Sequence, residues 1–279
     1  NAALPTAYIS HSDCLKHDTS PAHPESPRRL SAIEDRFVET GLSDVLTYID
    51  APEVRREHLL RVHTPRYVET VESMSPTSGY INLDPDTIMC PESLTAARRA
   101  AGAVTAAVDL VVCGRMSSAF CGVRPPGHHA ESARAMGFCL FNNIAVGAAH
   151  ALAEHDLDRV AIIDFDVHHG NGTEEIFEDE PRVLFCSTYQ HPFFPFTRQL
   201  DNAPNRVSIP LDATARSPEF RAAVVDHWLP ALQKFEPELV FVSAGFDAHV
   251  DDDMSNVSLT DADFRWVSEQ IVSIAERSA

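Results

Sequence analysis

Two carboxylates and an imidazole stand at alternate positions, Asp164, Asp166 and His168, directly after the apolar run 160–163. Alternation along an extended segment sends all three side chains to one side. In an open α/β sheet, ligands bind at the carboxyl ends of strands, where this run stops. A second apolar run ends shortly before Asp247 and offers another acid at the same kind of position. Asp166, His168 and Asp247 therefore predict an open three-ligand metal site, the arrangement in which catalytic zinc keeps a position for water.

Two adjacent histidines, His128 and His129, follow a rigid Pro-Pro-Gly turn. Imidazoles exchange protons near neutral pH, so this pair can act on water at a metal. A zinc held by two aspartates and one histidine acidifies water less than an all-histidine site and has more need of a nearby base. Asp164 can accept the other ring N–H of one histidine, and Asn171 can orient the second without adding charge. A pair of surface histidines without a catalytic role is the alternative.

The charge of the chain narrows the classes of substrate. Its 279 residues include 22 Lys and Arg against 41 Asp and Glu, which gives a formal net charge of -19 at pH 7. Binding to phosphates needs a basic surface that this balance does not supply, so we expect no direct contact with nucleic acid. Neutral or cationic substrates are compatible with this negative charge.

The lengths of the apolar runs and the positions of the cysteines indicate the cellular compartment of the protein. No apolar run reaches the roughly 18 residues that a membrane helix needs, and the first residues lack the pattern of a signal peptide. The six cysteines contain no C-x-x-C pair and lie mostly in apolar stretches, which favours free thiols in a reducing compartment. We expect a soluble cytoplasmic protein with no membrane contact; the sequence leaves its oligomeric state open.

Strand and helix periodicities alternate along the chain without a linker or a repeat. They predict helices over residues 98–112, 144–152 and 220–232, and strands over residues 118–123, 160–163, 183–186 and 239–243. This alternation is typical of an α/β fold with a mainly parallel sheet and helices on both faces. Since 44% of the residues are hydrophobic, we predict one domain over residues 1–279, with irregular loops at 20–27 and 73–91.

Several motifs, in order across most of the chain, resemble those of one known family. They are Arg124-Pro125-Pro126-Gly127-His128-His129, Gly137-Phe138-Cys139, Asn142-Asn143, Asp164 to Asn171, and Ser243 to Asp247. Together they resemble the zinc-dependent histone deacetylase superfamily, which includes acetylpolyamine amidohydrolases and acetoin-utilisation proteins. The resemblance implies an arginase-like α/β fold. The asparagine at position 171 is similar to that of the class II and bacterial members.

The resemblance also implies residue roles at the metal. The zinc ligands would be Asp166, His168 and Asp247. His128 and His129 would be tandem histidines, with Asp164 paired to His128 and Asn171 near His129. His129 would be the main general base and later the acid. Because two carboxylates and one imidazole are weakly selective, Fe²⁺ or Co²⁺ can replace zinc.

Further positions match the substrate tunnel of the family. Phe138 and Phe194 would flank the stem of an acyl-lysine, and Gly137 would let the substrate amide pass close to the backbone. Met254 matches a rim position that is apolar in lysine deacetylases and acidic in some polyamine-selective relatives. Without the resemblance, the two phenylalanines would be read as plain core aromatics.

A structural potassium ion is implied as well. Its ligands would be Ser187 and the segment that carries Asp164, Asp166 and His168; the alternative for Ser187 is a strand-end cap. His11, His17 and His23 offer a weaker candidate for a second metal cluster, because their spacing is irregular. The acidic run 251–253 is either a solvated loop or an attractant for a cationic substrate.

Two departures from the family pattern concern activity. Family members carry a Gly-Gly-Tyr segment whose tyrosine donates to the oxyanion, and none of the five tyrosines here has that context. We therefore expect that a C-terminal segment of the natural protein lies beyond Ala279. The segment 193–201 also lacks the usual Pro-Gly-Thr-Gly continuation, so it does not indicate the substrate.

The sequence thus predicts a metal-dependent amidohydrolase that removes acetyl or other acyl groups from the ε-amine of lysine in peptides or proteins. One alternative is an acetylpolyamine amidohydrolase, which uses the same chemistry on an acetylated polyamine. The other is a catalytically inert acyl-lysine-binding protein, which only the missing tyrosine suggests.

Overall fold

The structure is a computed structural model that describes residues 5–197, 200–201 and 203–278. It divides into two compact units, Asn1–His155 and Asp156–Ala279. Each unit contains a parallel sheet with helices, which agrees with the predicted α/β class. The organisation as a single domain stays a prediction, and Arg198 and Gln199 of the unusual segment lie outside the described residues.

The first unit is built on a three-stranded parallel sheet in the order β2-β1-β5. Its strands are β1 (Thr6–Ser10), β2 (Leu46–Asp50) and β5 (Ser118–Cys121), and an antiparallel hairpin adds β3 (Ile81–Asp84) and β4 (Thr87–Met89). Its helices are α1 (Arg28–Thr40), α2 (Arg56–Leu59), α3 (Pro65–Met74), α4 (Ser93–Val112) and α5 (Asn143–Glu154). Two short 3₁₀ helices span Ser12–Lys16 and Leu42–Asp44. The hairpin corrects the predicted irregular loop 73–91: strands of four and three residues are too short to show a period.

Small residues allow α4 to lie close to the neighbouring backbone. A methyl group built on Gly102 would lie 1.9 Å from the carbonyl oxygen of Pro52, so only glycine fits there. Ala96, Ala97 and Ala100 are fully buried on the same helix. The following helix, α5, begins where the Asn142 side chain accepts a hydrogen bond from the Ala145 amide, an N-cap that sequence periodicity does not locate.

The second unit contains a four-stranded parallel sheet in the order β8-β7-β6-β9. Its strands are β6 (Val160–Asp164), β7 (Val183–Gln190), β8 (Arg206–Leu211) and β9 (Leu239–Ser243). Its helices are α6 (Asn171–Ile176), α7 (Ser217–Ala223), α8 (Leu229–Phe235) and α9 (Asp261–Ser278), and a π-helical stretch, Val224–Trp228, joins α7 to α8. The predicted strands and helix of this unit are confirmed, and β7 extends four residues beyond its prediction. β6 and β7 are buried along their whole length, as central parallel strands are.

The largely aliphatic core of the second unit includes an aromatic pair. Phe220 and Trp228 pack edge to face with ring centroids 6.3 Å apart, and both are almost fully buried.

All six cysteines are free thiols, four of them buried. Among the described residues, no helix is both long enough and apolar enough to cross a membrane.

Candidate functional site

The end of β6 positions the first predicted metal ligands. Asp164 closes the strand, in register with Ser187 on β7 and Ser243 on β9. Its Oδ1 accepts a hydrogen bond from the Asp166 amide at 3.1 Å, and Asp166 Oδ1 accepts one from the His168 amide at 2.8 Å. The alternation of side chains was predicted to continue as far as His168, but the strand ends at Asp164. Asp side chains capture backbone N–H groups two residues on, and these turns replace strand geometry.

Asp166, His168 and Asp247 converge, as predicted. His168 Nδ1 lies 2.8 Å from Asp247 Oδ2 and 3.1 Å from Asp166 Oδ1. One donor atom from each residue lies within 4.8 Å of the others, so the three can share one metal ion. The Val167 amide donates to Asp247 Oδ1 at 2.9 Å, which ties the loop after β9 to the loop after β6.

Burial and charge make this cluster favourable for a cation. Burial alone lowers the pKa of His168, but hydrogen bonds and negative charge from Asp166 and Asp247 outweigh it and raise the pKa to about 10. Burial and the charge of Asp166 raise the pKa of the Asp247 carboxyl. Both shifts report concentrated negative charge in a poorly solvated place, which a divalent cation stabilises.

Gly245 lets Asp166 occupy its position, a role that the sequence did not indicate. A methyl group built on Gly245 would lie 2.1 Å from Asp166 Oδ2. We expect Gly245→Ala to weaken metal binding about 10–100-fold, the usual effect of disturbing the support of a ligand, as measured by competition with a chelator.

Gly79→Ala is the matched control for this prediction. A methyl group there meets nothing within 4 Å, although the positive φ of 67° carries a backbone cost. It should lower stability slightly and leave metal affinity unchanged. Equal metal affinity in Gly245→Ala and the wild type would contradict the assigned contact.

Ser187 has an unusual environment beside Asp164. The Ser187 side chain is fully buried, and its Oγ has no hydrogen-bond partner among the described residues. Its backbone carbonyl accepts a hydrogen bond from Trp228 Nε1 at 3.3 Å. A buried hydroxyl without a partner is costly, and an ion at that position would satisfy it. The predicted potassium site is compatible with this arrangement.

Two aromatic rings adjoin His168. Phe194, predicted in the tunnel wall, lies 6.0 Å from the His168 ring in an edge-to-face arrangement. Phe193 is closer and stacks on His168 at 5.3 Å with an interplanar angle of 19°. Phe193 was not predicted at the site, although the repeated aromatics of 193–196 were a signal. Both rings pack against the imidazole of His168, which is buried.

The loop after Asp247 carries Met254. Gln190 Oε1 accepts hydrogen bonds from the amides of Asn256 and Val257, which attaches this loop to the end of β7. Met254 is partly buried, and its amide donates to Asp252 Oδ1 at 2.8 Å. Asp252 thus stabilises a local turn, while its neighbours in the run 251–253 are solvent-exposed.

The tandem histidines belong to the first unit, in a loop that two asparagines secure. Asn143 donates from Nδ2 to the Pro125 carbonyl at 3.0 Å, and Asn142 donates from Nδ2 to the Ala130 carbonyl at 3.1 Å. The His128 and His129 rings lie 4.0 Å apart between centroids, and His129 is buried. The two asparagines of the motif Asn142-Asn143 therefore hold the backbone of the histidine loop in place.

Gly137 lies against His129, and the amides of Gly137 and Phe138 donate hydrogen bonds to the hairpin of the first unit. Gly137 has φ +56°, and a methyl group there would lie 2.3 Å from His129 Cδ2, so glycine is required for the histidine to fit. The Gly137 amide donates to Asp86 Oδ1 at 3.0 Å. Phe138 packs edge to face on His23 with centroids 4.6 Å apart. Asp86 was missed because the hairpin that places it was not predicted, and His23 was considered only as a candidate ligand of a second metal cluster.

The N-terminal histidines take separate partners rather than joining around one ion. His17 Nδ1 lies 2.7 Å from Ser93 Oγ, and His23 Nε2 lies 3.2 Å from the Asp86 carbonyl. His11 accepts a hydrogen bond from the Asp13 amide. Within the part of the chain that the structure describes, these three histidines form no metal-binding group.

Arg124, at the start of the histidine loop, is buried in an ion pair with Glu25. Its Nε and Nη2 donate to the two carboxylate oxygens at 2.5 and 2.6 Å, and both side chains are 2% exposed. Further Arg124 N–H groups donate to the carbonyls of Cys14 and His17. The pair therefore joins the N-terminal segment to the loop of His128.

We expect Glu25→Gln to lower the free energy of unfolding by about 3–5 kcal/mol, because it leaves the Arg124 charge buried without its counterion. Urea unfolding followed by circular dichroism measures this loss. The control is Glu39→Gln, which breaks a pair with Arg36 whose side chains are 71% and 64% exposed and should cost less than about 1 kcal/mol. Similar losses in both variants would contradict the prediction.

The chain matches one family over most of its length. The model of the histone deacetylase domain matches residues 23–279. A histone deacetylase-like amidohydrolase of Pseudomonas aeruginosa is 37% identical over 263 residues, which cover 92% of this chain and 68% of that protein. Polyamine deacetylase HDAC10 of Homo sapiens is 37% identical over 297 residues, which cover 97% of this chain and 44% of HDAC10. This chain therefore spans less than half the length of HDAC10.

A solved structure also matches this chain. The crystal structure of the HDA15 HD domain superposes with a TM-score of 0.93 at 34% identity, covering 98% of this chain and 82% of that one. This confirms the predicted α/β deacetylase-like fold class. The roles predicted for individual residues stay predictions.

Proposed function

This chain belongs to the histone deacetylase family, and we propose on that premise that it hydrolyses the amide bond of acyl-lysine side chains, chiefly acetyl-lysine, in peptides or proteins. The observation that carries the proposal is the convergence of Asp166, His168 and Asp247 within 4.8 Å. Relatives named as deacetylases and as an amidohydrolase support hydrolysis over inert binding of acyl-lysine.

The metal in this proposal is zinc, held by the same three residues. Two carboxylates and one imidazole fit a divalent ion with positions left for substrate and water. Such an ion supplies a Lewis acid for the acyl carbonyl and for the attacking water. Because Fe²⁺ and Co²⁺ suit the same donors, metal analysis of protein purified without added metal is the test. An alkali metal alone, with no divalent ion, would contradict the assignment.

Proton transfer is assigned to His128 and His129. In the proposed reaction, His129 accepts a proton as the water oxygen adds to the acyl carbon. The C–N bond then breaks, and the histidine returns the proton to the departing amine, which leaves acetate and free lysine. Asp164 and Asn171 are proposed to hold the ring orientations of the pair, as carboxylates and amides do for catalytic histidines.

We propose a structural potassium ion that contacts Ser187 and the backbone of 164–168. The support is the buried Ser187 hydroxyl without a partner among the described residues. Thermal unfolding in potassium chloride and in tetramethylammonium chloride tests this site. Potassium should raise the midpoint for the wild type and have little effect on Ser187→Ala; equal effects on both would exclude Ser187 as a ligand.

The acyl carrier is proposed to be lysine in a peptide. Met254 presents an apolar side chain at a position where an acid would favour a polyamine. The second candidate, an acetylated polyamine, is favoured by similarity to polyamine deacetylase HDAC10 and by the exposed acids at 251–253. Comparing kcat/KM on an acetyl-lysine peptide and on acetylspermidine decides between them. Met254→Glu should shift the ratio towards acetylspermidine, and a wild type that prefers acetylspermidine would reverse the assignment.

A further inference from the structure

A second cluster of metal-type donors lies between two helices of the first unit. Asp109 belongs to α4, His150 belongs to α5, and His155 directly follows α5 as its C-cap. The Nε2 atoms of both histidines lie 2.7 Å from the same oxygen, Asp109 Oδ1. One donor atom from each residue lies within 4.8 Å of the others. None of these residues takes part in the proposed hydrolysis.

The histidines hold their donor atoms in place before any ligand arrives. The His150 side chain is 5% exposed, that of His155 is 15% exposed, and that of Asp109 is 55% exposed. The two imidazole planes cross at 80°, with centroids 5.6 Å apart. The ring of His58 packs 4.7 Å from that of His150 and restricts its rotation. The cluster therefore has two fixed nitrogens and one adjustable carboxylate that faces water.

The spacing fits a tetrahedral transition metal after a small movement. Bonds of about 2.0–2.2 Å in tetrahedral geometry separate neighbouring ligand atoms by about 3.3 Å. The nitrogen–oxygen distances here are 2.7 Å, so a shift of about 0.6 Å gives each nitrogen–oxygen pair that spacing. Asp109 can supply this shift because its side chain is largely exposed. Water would complete the coordination on the exposed side.

Charge and donor type select the class of ion. Partial burial raises the pKa of Asp109, but hydrogen bonds from His150 and His155 outweigh it and keep the pKa below its usual value. The carboxylate is therefore ionised at neutral pH. Two imidazoles favour Zn²⁺, Ni²⁺ or Cu²⁺, whereas Mg²⁺ and Ca²⁺ prefer a shell of oxygens.

We propose that Asp109, His150 and His155 form a second binding site for a divalent transition metal, in addition to the site of Asp166, His168 and Asp247. Zinc is the probe of choice, because both sites suit it and the two can be counted together. A metal here joins α4 to the end of α5, so its binding should also stabilise the fold of the first unit.

One neighbour opposes binding at this site. Arg61 Nη1 lies 3.3 Å from His150 Nδ1, and Arg61 also forms an ion pair with Glu154. Since Nδ1 accepts from the guanidinium, the neutral His150 ring carries its proton on Nε2, the atom that a metal needs. The positive charge also repels a cation. Arg61→Gln should therefore tighten zinc binding at this site about tenfold.

Equilibrium dialysis of the full chain against zinc tests the proposal by metal stoichiometry. The wild type should bind two equivalents, and Asp109→Asn and His155→Gln should each bind one. Asp247→Ala should also bind one, because it removes the other site. The control, His227→Gln, changes an exposed histidine of the second unit and should retain two equivalents. Circular dichroism establishes that each variant is folded.

Three outcomes would overturn the proposal. The first is a single equivalent in the wild type that Asp247→Ala abolishes. The second is a second equivalent that survives in both Asp109→Asn and His155→Gln. The third is weaker rather than tighter binding of the second equivalent in Arg61→Gln. Asp109→Asn keeps the shape of an exposed side chain, and His155→Gln acts on a separate residue, so misfolding of one variant leaves the other decisive.

Discussion

Asp247→Ala is expected to abolish both metal content and amide hydrolysis, and Asp166→Ala and His168→Ala are expected to do the same. A site with three protein ligands cannot lose one and keep its geometry or its affinity. Asp247 is central here, because its Oδ2 lies 2.8 Å from His168 Nδ1 while its Oδ1 accepts from the Val167 amide. Metal per chain by mass spectrometry and acetate release from an acetyl-lysine peptide are the two measurements.

Misfolding can be separated from loss of the metal. The charge of Asp166 is one cause of the raised pKa of Asp247, so the two carboxylates repel each other when no cation is bound. Asp166→Ala removes this repulsion together with the hydrogen bonds that Asp166 Oδ1 accepts from His168, so the metal-free variant should remain folded, with only a moderate change of stability relative to the metal-free wild type in urea unfolding. His227→Ala, at an exposed position, should retain metal and activity. Full metal occupancy and turnover in any one of the three ligand variants would refute the assignment.

The convergence of the proposed ligands could be predicted from the sequence because each lies in a loop that follows an apolar strand, β6 or β9. The ends of adjacent parallel strands meet at one edge of a sheet, and β6 and β9 are adjacent in register from Val160 and Leu239 onward. Strand alternation, however, was the wrong reason for placing His168 beside Asp166. Hydrogen bonds from backbone amides to Asp164 and Asp166 do that, and they depend on three-dimensional geometry that a period of two does not describe.

The contacts that hold the site residues in place could not be predicted from the sequence. Gly245 lies within the motif Ser243 to Asp247, but its closeness to Asp166 depends on how two loops pack. The Arg124–Glu25 pair joins residues 99 positions apart, and neither residue type is expected to be buried. The cluster of Asp109, His150 and His155 depends on the packing of α4 against α5. Such contacts have no periodic signature, so only the folded chain reveals them.

His129→Ala is expected to keep its metal and lose most of its turnover. A general base beside the reacting water contributes about 10²–10⁴-fold to the rate, and the resemblance assigns that role to His129. The metal should remain because none of its proposed ligands changes. Replacing a buried ring opposite Gly137 also leaves a space, so a moderate loss of stability is expected as well. Single-turnover rates and metal content, measured on the same preparation, separate the two effects.

His128→Ala is the matched variant, because the His128 ring lies 4.0 Å from that of His129 in the same loop. If His129 is the main base, the rate loss in His129→Ala should exceed that in His128→Ala at every pH. The acidic limb of the kcat/KM profile should also disappear in His129→Ala alone, since that limb reports protonation of the base in the free enzyme. A normal rate and an intact acidic limb in His129→Ala, with full metal content, would transfer the role of the base to His128.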